Sequence, residues 1–338
     1  MRNVTKKVKT KSVNYIKTNV LFFTFVLTSV LNGMLLRFLT VKNYFDIKPI
    51  IGDLIVVLII GAFGYFIKPK NQFKYFISWT VFFSILCIIH SMYYTNYMSF
   101  ASVSSLQIVD VGDAVVQNVM EIKDFSYLWS IFVLIFVHMN LKKRGYYERV
   151  SKIEVGKIRA LNTLIASVIL IGFFISMLTS LDLSRLGKQW NREYVVMQFG
   201  IYFYQANDVF VSLKPQISPL FGYDENAKKF REYYENREDT TKANEYTDVL
   251  KGKNIIVIHA ESIQNFLLDT QFNGEYVTPN LRKLANEGLY FSNFYAQESV
   301  GTSSDTEFTF NTSLMPANSG TVFISYWDRE YVTIPKLL

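Results

Sequence analysis

The stretch "VLFFTFVLTSVLNGMLL", residues 20 to 36, runs 17 positions without an ionisable side chain. An α-helix needs about 17 to 25 predominantly apolar residues to cross the hydrocarbon core of a bilayer, so this run has the length of a membrane span. Comparable runs recur at Ile50–Ile67, Phe73–Tyr94, Phe125–Leu141 and Leu161–Leu181. Any one of them could be a buried core helix, and the fourth is short enough for that reading. Five in series predict a multi-pass α-helical membrane domain over residues 1–181 instead. Half of the 338 residues are apolar and only 19% are charged, which one water-soluble globule would not need.

Basic residues alternate across these runs. Arg2, Lys6, Lys7, Lys9, Lys11 and Lys17 precede the first; Lys68, Lys70 and Lys74 follow the second; Lys142, Lys143, Arg144, Arg149, Lys152, Lys157 and Arg159 follow the fourth. The two intervening loops hold only Arg37, Lys42, Lys48 and Lys123. By the positive-inside rule the N-terminus is cytoplasmic and, after five crossings, everything beyond Leu181 is extracellular. The first run lacks a small-residue cleavage pattern and is followed by further spans, which argues against a removable signal peptide.

The net charge of +7 does not point to nucleic acid. Residues 1–181 hold 20 basic and 8 acidic side chains, and residues 182–338 hold 15 and 20. The positive charge therefore sits where it orients helices and meets anionic lipid. Cys87, the single cysteine, lies inside the third run, so the chain can form no internal disulfide and thiol chemistry there is excluded.

Residues 182–250 form a polar and aromatic linker. "REYVVMQFGIYFYQANDVFVSL" suits helix lying in the membrane interface, with Tyr202 and Tyr204 as interface anchors, and the charged run that follows reads as a solvated helical spacer. From residue 251 the texture changes. "NIIVIHAES" predicts a strand buried on both faces and ending at Glu261, with His259 as a packed strand residue. In "VTPNLRKLANEGLYFSNFYA", Thr278 can cap a helix that opens on Pro279 and stops at Gly288, followed by a second strand at Tyr290–Tyr295. Strand, helix, strand predicts the start of an α/β domain with a largely parallel sheet over residues 251–338.

Ligands gather at the carboxyl ends of strands in such sheets, which makes Glu261 and the run "QESVGTSSDTEF", residues 297–308, neighbours. Ser304 and Glu307 match a capping box, so a helix is expected from Asp305 with Ser303 just ahead of its positive end. A hydroxyl there can act as a nucleophile once a base or a metal activates it. On pattern alone, a simple helix cap and a strand-end surface carboxylate are the preferred readings of these residues. His90 and His138, in or beside spans, read as polar groups near the interface.

"IHAESIQNF" followed about forty residues later by "GTSSDTEF", together with "TPNL" and "SNFY", behind five spans, resembles the lipoteichoic acid synthase family of the alkaline phosphatase and sulfatase superfamily. The resemblance implies five transmembrane helices, an extracellular linker and a sulfatase-like domain. It also implies transfer of glycerophosphate from phosphatidylglycerol to a glycolipid or a growing polyglycerolphosphate chain, with manganese or magnesium. Glu261 then corresponds to the family's first metal-binding glutamate, and Ser303 to its nucleophile, which also touches the metal. The family usually has threonine at that position. A one-residue shift would make Thr302 the nucleophile, but Asp305, Glu307 and Phe308 align only when Ser303 holds the place. The family's later Asp-His pair has no counterpart, because no histidine follows His259. The chain is accordingly expected to hold the first part of such an enzyme.

Two enzyme alternatives fit less well: a sulfatase would place Pro and Arg after its nucleophile, and a phosphoethanolamine transferase usually Ala-Arg. A catalytically silent membrane protein acting as a binding or regulatory partner is the alternative of a different class.

Overall fold

A computed structural model describes residues 15–42, 45–104, 120–151, 156–189, 191–217, 221–236, 243–318 and 320–337. The chain divides into two compact units, Met1–Leu213 and Lys214–Leu338, which are taken in turn.

In the first unit, α1 (Val20–Leu39), α2 (Ile47–Phe63, prolonged by a 3-10 turn to Phe66) and α3 (Pro69–Tyr97) are followed by a 3-10 turn, Ile122–Leu128, that runs into α4 (Trp129–Lys143). Then come α5 (Tyr146–Ser151), α6 (Gly156–Ser176), α7 (Ser180–Lys188), α8 (Arg192–Phe199) and α9 (Ile201–Ile217). Among the described residues five segments are long and apolar enough to cross a membrane: Val20–Leu39, Ile47–Phe66, Pro69–Tyr97, Ile122–Lys143 and Gly156–Ser176. The first four match the apolar runs. The fifth ends five residues before Leu181, because Thr179 and Asp182 form a reciprocal capping box that opens α7.

Aromatic side chains fill the interior: Phe25 lies on Phe76 with ring centres 5.0 Å apart, and Phe83 on Tyr202 at 4.2 Å. Inside lipid every polar group needs a protein partner. Asn32 of α1 donates to Ser130 Oγ and to the Tyr127 carbonyl, each at 3.0 Å, and Ser84 of α3 donates to the same carbonyl at 3.1 Å. Three spans are thereby tied at one level. Arg37 and Asp53, both fully buried, pair at 2.6 Å between α1 and α2.

The other Asp53 oxygen accepts the Tyr202 amide at 2.8 Å, at the first turn of α9, so a carboxylate sits on the positive end of that helix. The approach is close. Gly200 has φ +85°, and a side chain added there would run into Pro49 and Asp53. Tyr202 and Tyr204 are therefore not interface anchors. Both are buried, and their hydroxyls donate to the carbonyls of Ser29 (2.8 Å) and Ala101 (2.9 Å). The start of the expected linker is built into the helical unit, which runs to Leu213. His90 is buried as well, bonded through Nε2 to Gln205 Oε1 at 2.9 Å, while His138 stacks on Phe73 and bonds Tyr147.

The second unit begins with the end of α9 and with α10 (Tyr223–Glu235), which has no buried residue and carries Lys229–Glu225 and Lys228–Glu232 pairs at helical spacing. It is the solvated spacer helix. Then β1 (Gln271–Phe272) and β2 (Glu275–Tyr276) form an antiparallel hairpin. Asn273 (φ +51°) and Gly274 (φ +84°) make its turn, the conformation that an Asn-Gly pair favours between strands. The unit continues with α11 (Pro279–Glu287), α12 (Ser303–Thr312), α13 (Val322–Ser325) and α14 (Ile334–Leu337).

The expected strands at residues 254–261 and 290–295 do not form ladders. The first run is extended but exposed, with Ile256 86% and Ile258 83% accessible, and His259 is exposed rather than packed. A strand becomes one only against a neighbour; among the described residues none lies beside either run, and the hairpin is the only sheet. Pro279 opens α11 as expected, but Thr278 does not cap it: its hydroxyl donates to the Leu267 carbonyl at 2.9 Å.

Candidate active site

Glu261 closes the extended run and is followed by a sharp turn in which Ser262 has φ +59°. Ser303 is the first residue of α12. The chain separates them by 42 positions, yet Ser303 Oγ donates to Glu261 Oε1 at 2.8 Å. The two sequence candidates are brought together, and the carboxylate is placed to take the hydroxyl proton. Both are accessible: Glu261 is exposed and Ser303 half-buried. No hydrogen bond joins the Thr302 side chain to Glu261; Thr302 occupies the N-cap position with φ +49° and ψ −114°, a conformation that a β-branched residue rarely adopts.

The helix starts two residues earlier than the capping-box reading places it. Ser304 does not cap, since its hydroxyl donates to the Gly301 carbonyl at 2.8 Å. Asp305 takes over instead. Its Oδ2 accepts the amides of Ser299 and Gly301, each at 2.9 Å, and its negative charge lies in the first turn, where the helix end favours it. Sequence reasoning missed this role, although an acidic residue in the first turn of a helix was the available signal. Phe308, one turn on, is buried against Tyr331 with ring centres 5.1 Å apart and perpendicular. That contact holds the same buried face of the helix one turn further on.

Glu261 and Ser303 offer hard oxygen donors, the kind that manganese and magnesium take. They fit such an ion in chemistry but not in number. Among the described residues no three or more His, Cys, Asp and Glu side chains gather into a metal-holding group, whereas these cations are held by about six ligands.

Comparison with known proteins covers both units. Residues 1–219 match the family described as lipoteichoic acid synthase N-terminal domain, and residues 253–338, which include Glu261 and Ser303, match the sulfatase family. The chain is similar to the lipoteichoic acid synthase of Staphylococcus saprophyticus, with 26% identity over 95% of this chain and 51% of that protein. The lipoteichoic acid synthase of Staphylococcus aureus is 27% identical over 95% of this chain and 51% of that protein. Lipoteichoic acid synthase 1 of Bacillus subtilis is 28% identical over 74% of this chain and 39% of that protein. The chain thus spans about half the length of the curated relatives it matches, or less. No solved structure matches it. With its helical unit matched from end to end and a sulfatase segment behind it, the chain belongs to the lipoteichoic acid synthase family.

Proposed function

We propose that the chain supplies the membrane anchor and the nucleophile of a phosphoglycerol transferase that builds a lipoteichoic-acid-type polymer. The observation that carries this reading is the Ser303–Glu261 hydrogen bond at 2.8 Å, within a segment that matches the sulfatase family. Ser303 Oγ attacks the phosphorus of phosphatidylglycerol. A bond from Oγ to phosphorus forms, the bond from phosphorus to the diacylglycerol oxygen breaks, and the serine proton passes by way of Glu261 to the departing alkoxide. Glycerophosphate stays on Ser303 until a hydroxyl of a glycolipid or of the growing polyglycerolphosphate chain attacks the same phosphorus and restores the serine. Glu261 and Ser303 would supply two of the ligands of a manganese or magnesium ion, which when bound would neutralise phosphoryl oxygens and ease loss of the hydroxyl proton.

Ser303→Ala is expected to abolish both adduct and polymer, and Ser303→Thr to retain much of each. The check is mass spectrometry of the trapped glycerophosphate adduct. An adduct mapped to Thr302 would overturn the assignment of the nucleophile. The alternation of basic loops supports a cytoplasmic N-terminus and an extracellular second unit; a reporter fused after Leu250 and active only in the cytoplasm would overturn that orientation.

The silent-partner reading has one observation in its favour: only two donors of a metal site meet among the described residues. Under that reading no adduct forms at Ser303.

A further inference from the structure

We infer that Asp305 is a positioning residue for the Ser303 nucleophile, an inference that rests on the transfer reading above. In the second unit burial is scarce, and Asp305 stands out against it. Its side chain is 1% exposed, while neighbouring Thr302 and Glu307 face solvent. A carboxylate is an unfavourable group to bury unless hydrogen bonds satisfy it. Asp305 meets that condition through one of its two oxygens, with backbone rather than a basic side chain: Oδ2 takes the amides of Ser299 and Gly301 at 2.9 Å each.

These two bonds fold the loop 299–301 back over the first turn of α12. Gly301 is held so tightly that an added Cβ would lie 2.7 Å from the Asp305 Cγ and 2.8 Å from the Ser304 Oγ. Thr302 is the residue between this clamp and the nucleophile. Its left-handed backbone is strained, and such strain persists only where the surroundings over-determine it. The surroundings here are the Asp305 carboxylate on one side and Ser304 on the other, whose amide and hydroxyl both bond the Gly301 carbonyl, at 3.1 and 2.8 Å. With Thr302 turned in this way, Ser303 enters the helix with Oγ directed at Glu261. Released, Thr302 would relax to negative φ and carry the serine hydroxyl off the carboxylate. Among the described residues the second Asp305 oxygen has no hydrogen-bond partner, so the two amide bonds to Oδ2 are the contacts that hold this buried side chain.

The hydrogen bonds of Asp305 go to the Ser299 and Gly301 amides and not to Ser303 or Glu261, and it takes no part in bond making. It sets where the nucleophile stands, and misplacing a reacting atom by about 1 Å costs on the order of a hundredfold in rate.

The test uses the protein as its own cells make it, in membrane fragments containing phosphatidylglycerol and manganese. Hydrogen exchange at the Ser299 and Gly301 amides reads the clamp, and the rate of adduct formation at Ser303 reads its use. Asp305→Ala is expected to speed exchange at both amides about tenfold or more and to slow adduct formation roughly a hundredfold at an unchanged half-saturating lipid concentration. Asp305→Asn, which keeps an acceptor oxygen, should restore most of both. Unchanged exchange in Asp305→Ala overturns the clamp, and a lost clamp with an undiminished adduct rate overturns the positioning role. An unsubstituted protein that forms no adduct brings down the transfer reading and this inference together, whereas an adduct formed equally fast by Asp305→Ala brings down this inference alone.

Discussion

Arg37 with Asp53 in the helical unit and Arg282 with Asp269 in the second unit are the same kind of ion pair in opposite settings. The first pair is wholly buried and also receives a backbone amide from α9. The second joins an Asp269 that is 82% exposed to an arginine lying over the Tyr276 ring. The difference runs through both units. In the first, each helix satisfies its own backbone, and several of the remaining polar groups are tied across helices. In the second, an extended run of isoleucine and valine stands in solvent with no strand alongside among the described residues. A helix completes itself from residues three and four positions away, whereas a parallel strand needs a partner supplied from far along the chain.

The ion pairs give the sharpest way to break this comparison. Asp53→Ala leaves Arg37 as an unpaired buried charge and strips the first turn of α9 of its acceptor. It is expected to cost about 3–5 kcal/mol, read as a large drop in the thermal unfolding midpoint of the protein in mild detergent. Asp269→Ala removes a solvent-screened pair and should cost about 1 kcal/mol or less. Equal effects would mean that the two units are not built on different principles. Replacing Arg37 and Asp53 together by Met and Leu should recover most of the loss, since a buried pair is worth little over well-packed apolar groups.

The spans were legible because their signal is local and long. Four of the five apolar runs coincide with helices, and only the last was overrun, where Thr179 and Asp182 carry a capping box inside an apolar stretch. The fate of Tyr202 and Tyr204 was not legible. Tyr and Phe next to a span look alike whether they lie on the bilayer surface or insert between helices, and what decides is Asp53, about 150 residues earlier in the chain, waiting for the Tyr202 amide. In the second unit the Asn273-Gly274 dipeptide is itself a hairpin signal, while the expectation of strands at 254–261 and 290–295 rests on β-branched and aromatic content alone. Composition states that a run suits a sheet; it does not supply the neighbour. At the candidate site, Glu261 and Ser303 came from motif resemblance and do meet. For Asp305 the sequence shows an acidic residue in the first turn of a helix; that it accepts the Ser299 and Gly301 amides depends on how the preceding loop folds back.

The smallest expected effect tests the seam between the last span and the helices behind it. Asp182 opens α7, is almost fully buried, and accepts from the Thr179 amide at 2.8 Å, the Thr179 hydroxyl at 3.0 Å and the Tyr194 hydroxyl, with Lys48 at 3.5 Å. Burial by itself raises the pKa of this carboxyl, but the Thr179 and Tyr194 hydrogen bonds and the Lys48 charge together outweigh it and hold the value below the ordinary carboxylate range. A carboxyl whose folded value lies below its unfolded value of about 3.9 stabilises the fold above that pH, and the contribution is lost as pH falls through the folded value. Asp182→Asn should therefore lower stability modestly at neutral pH and approach the unsubstituted protein in acid below about pH 4. The measurement is the unfolding midpoint of both proteins across that range. A gap between them that stays constant down to the lowest pH would mean that Asp182 acts through shape and capping alone, and that the seam owes nothing to its charge.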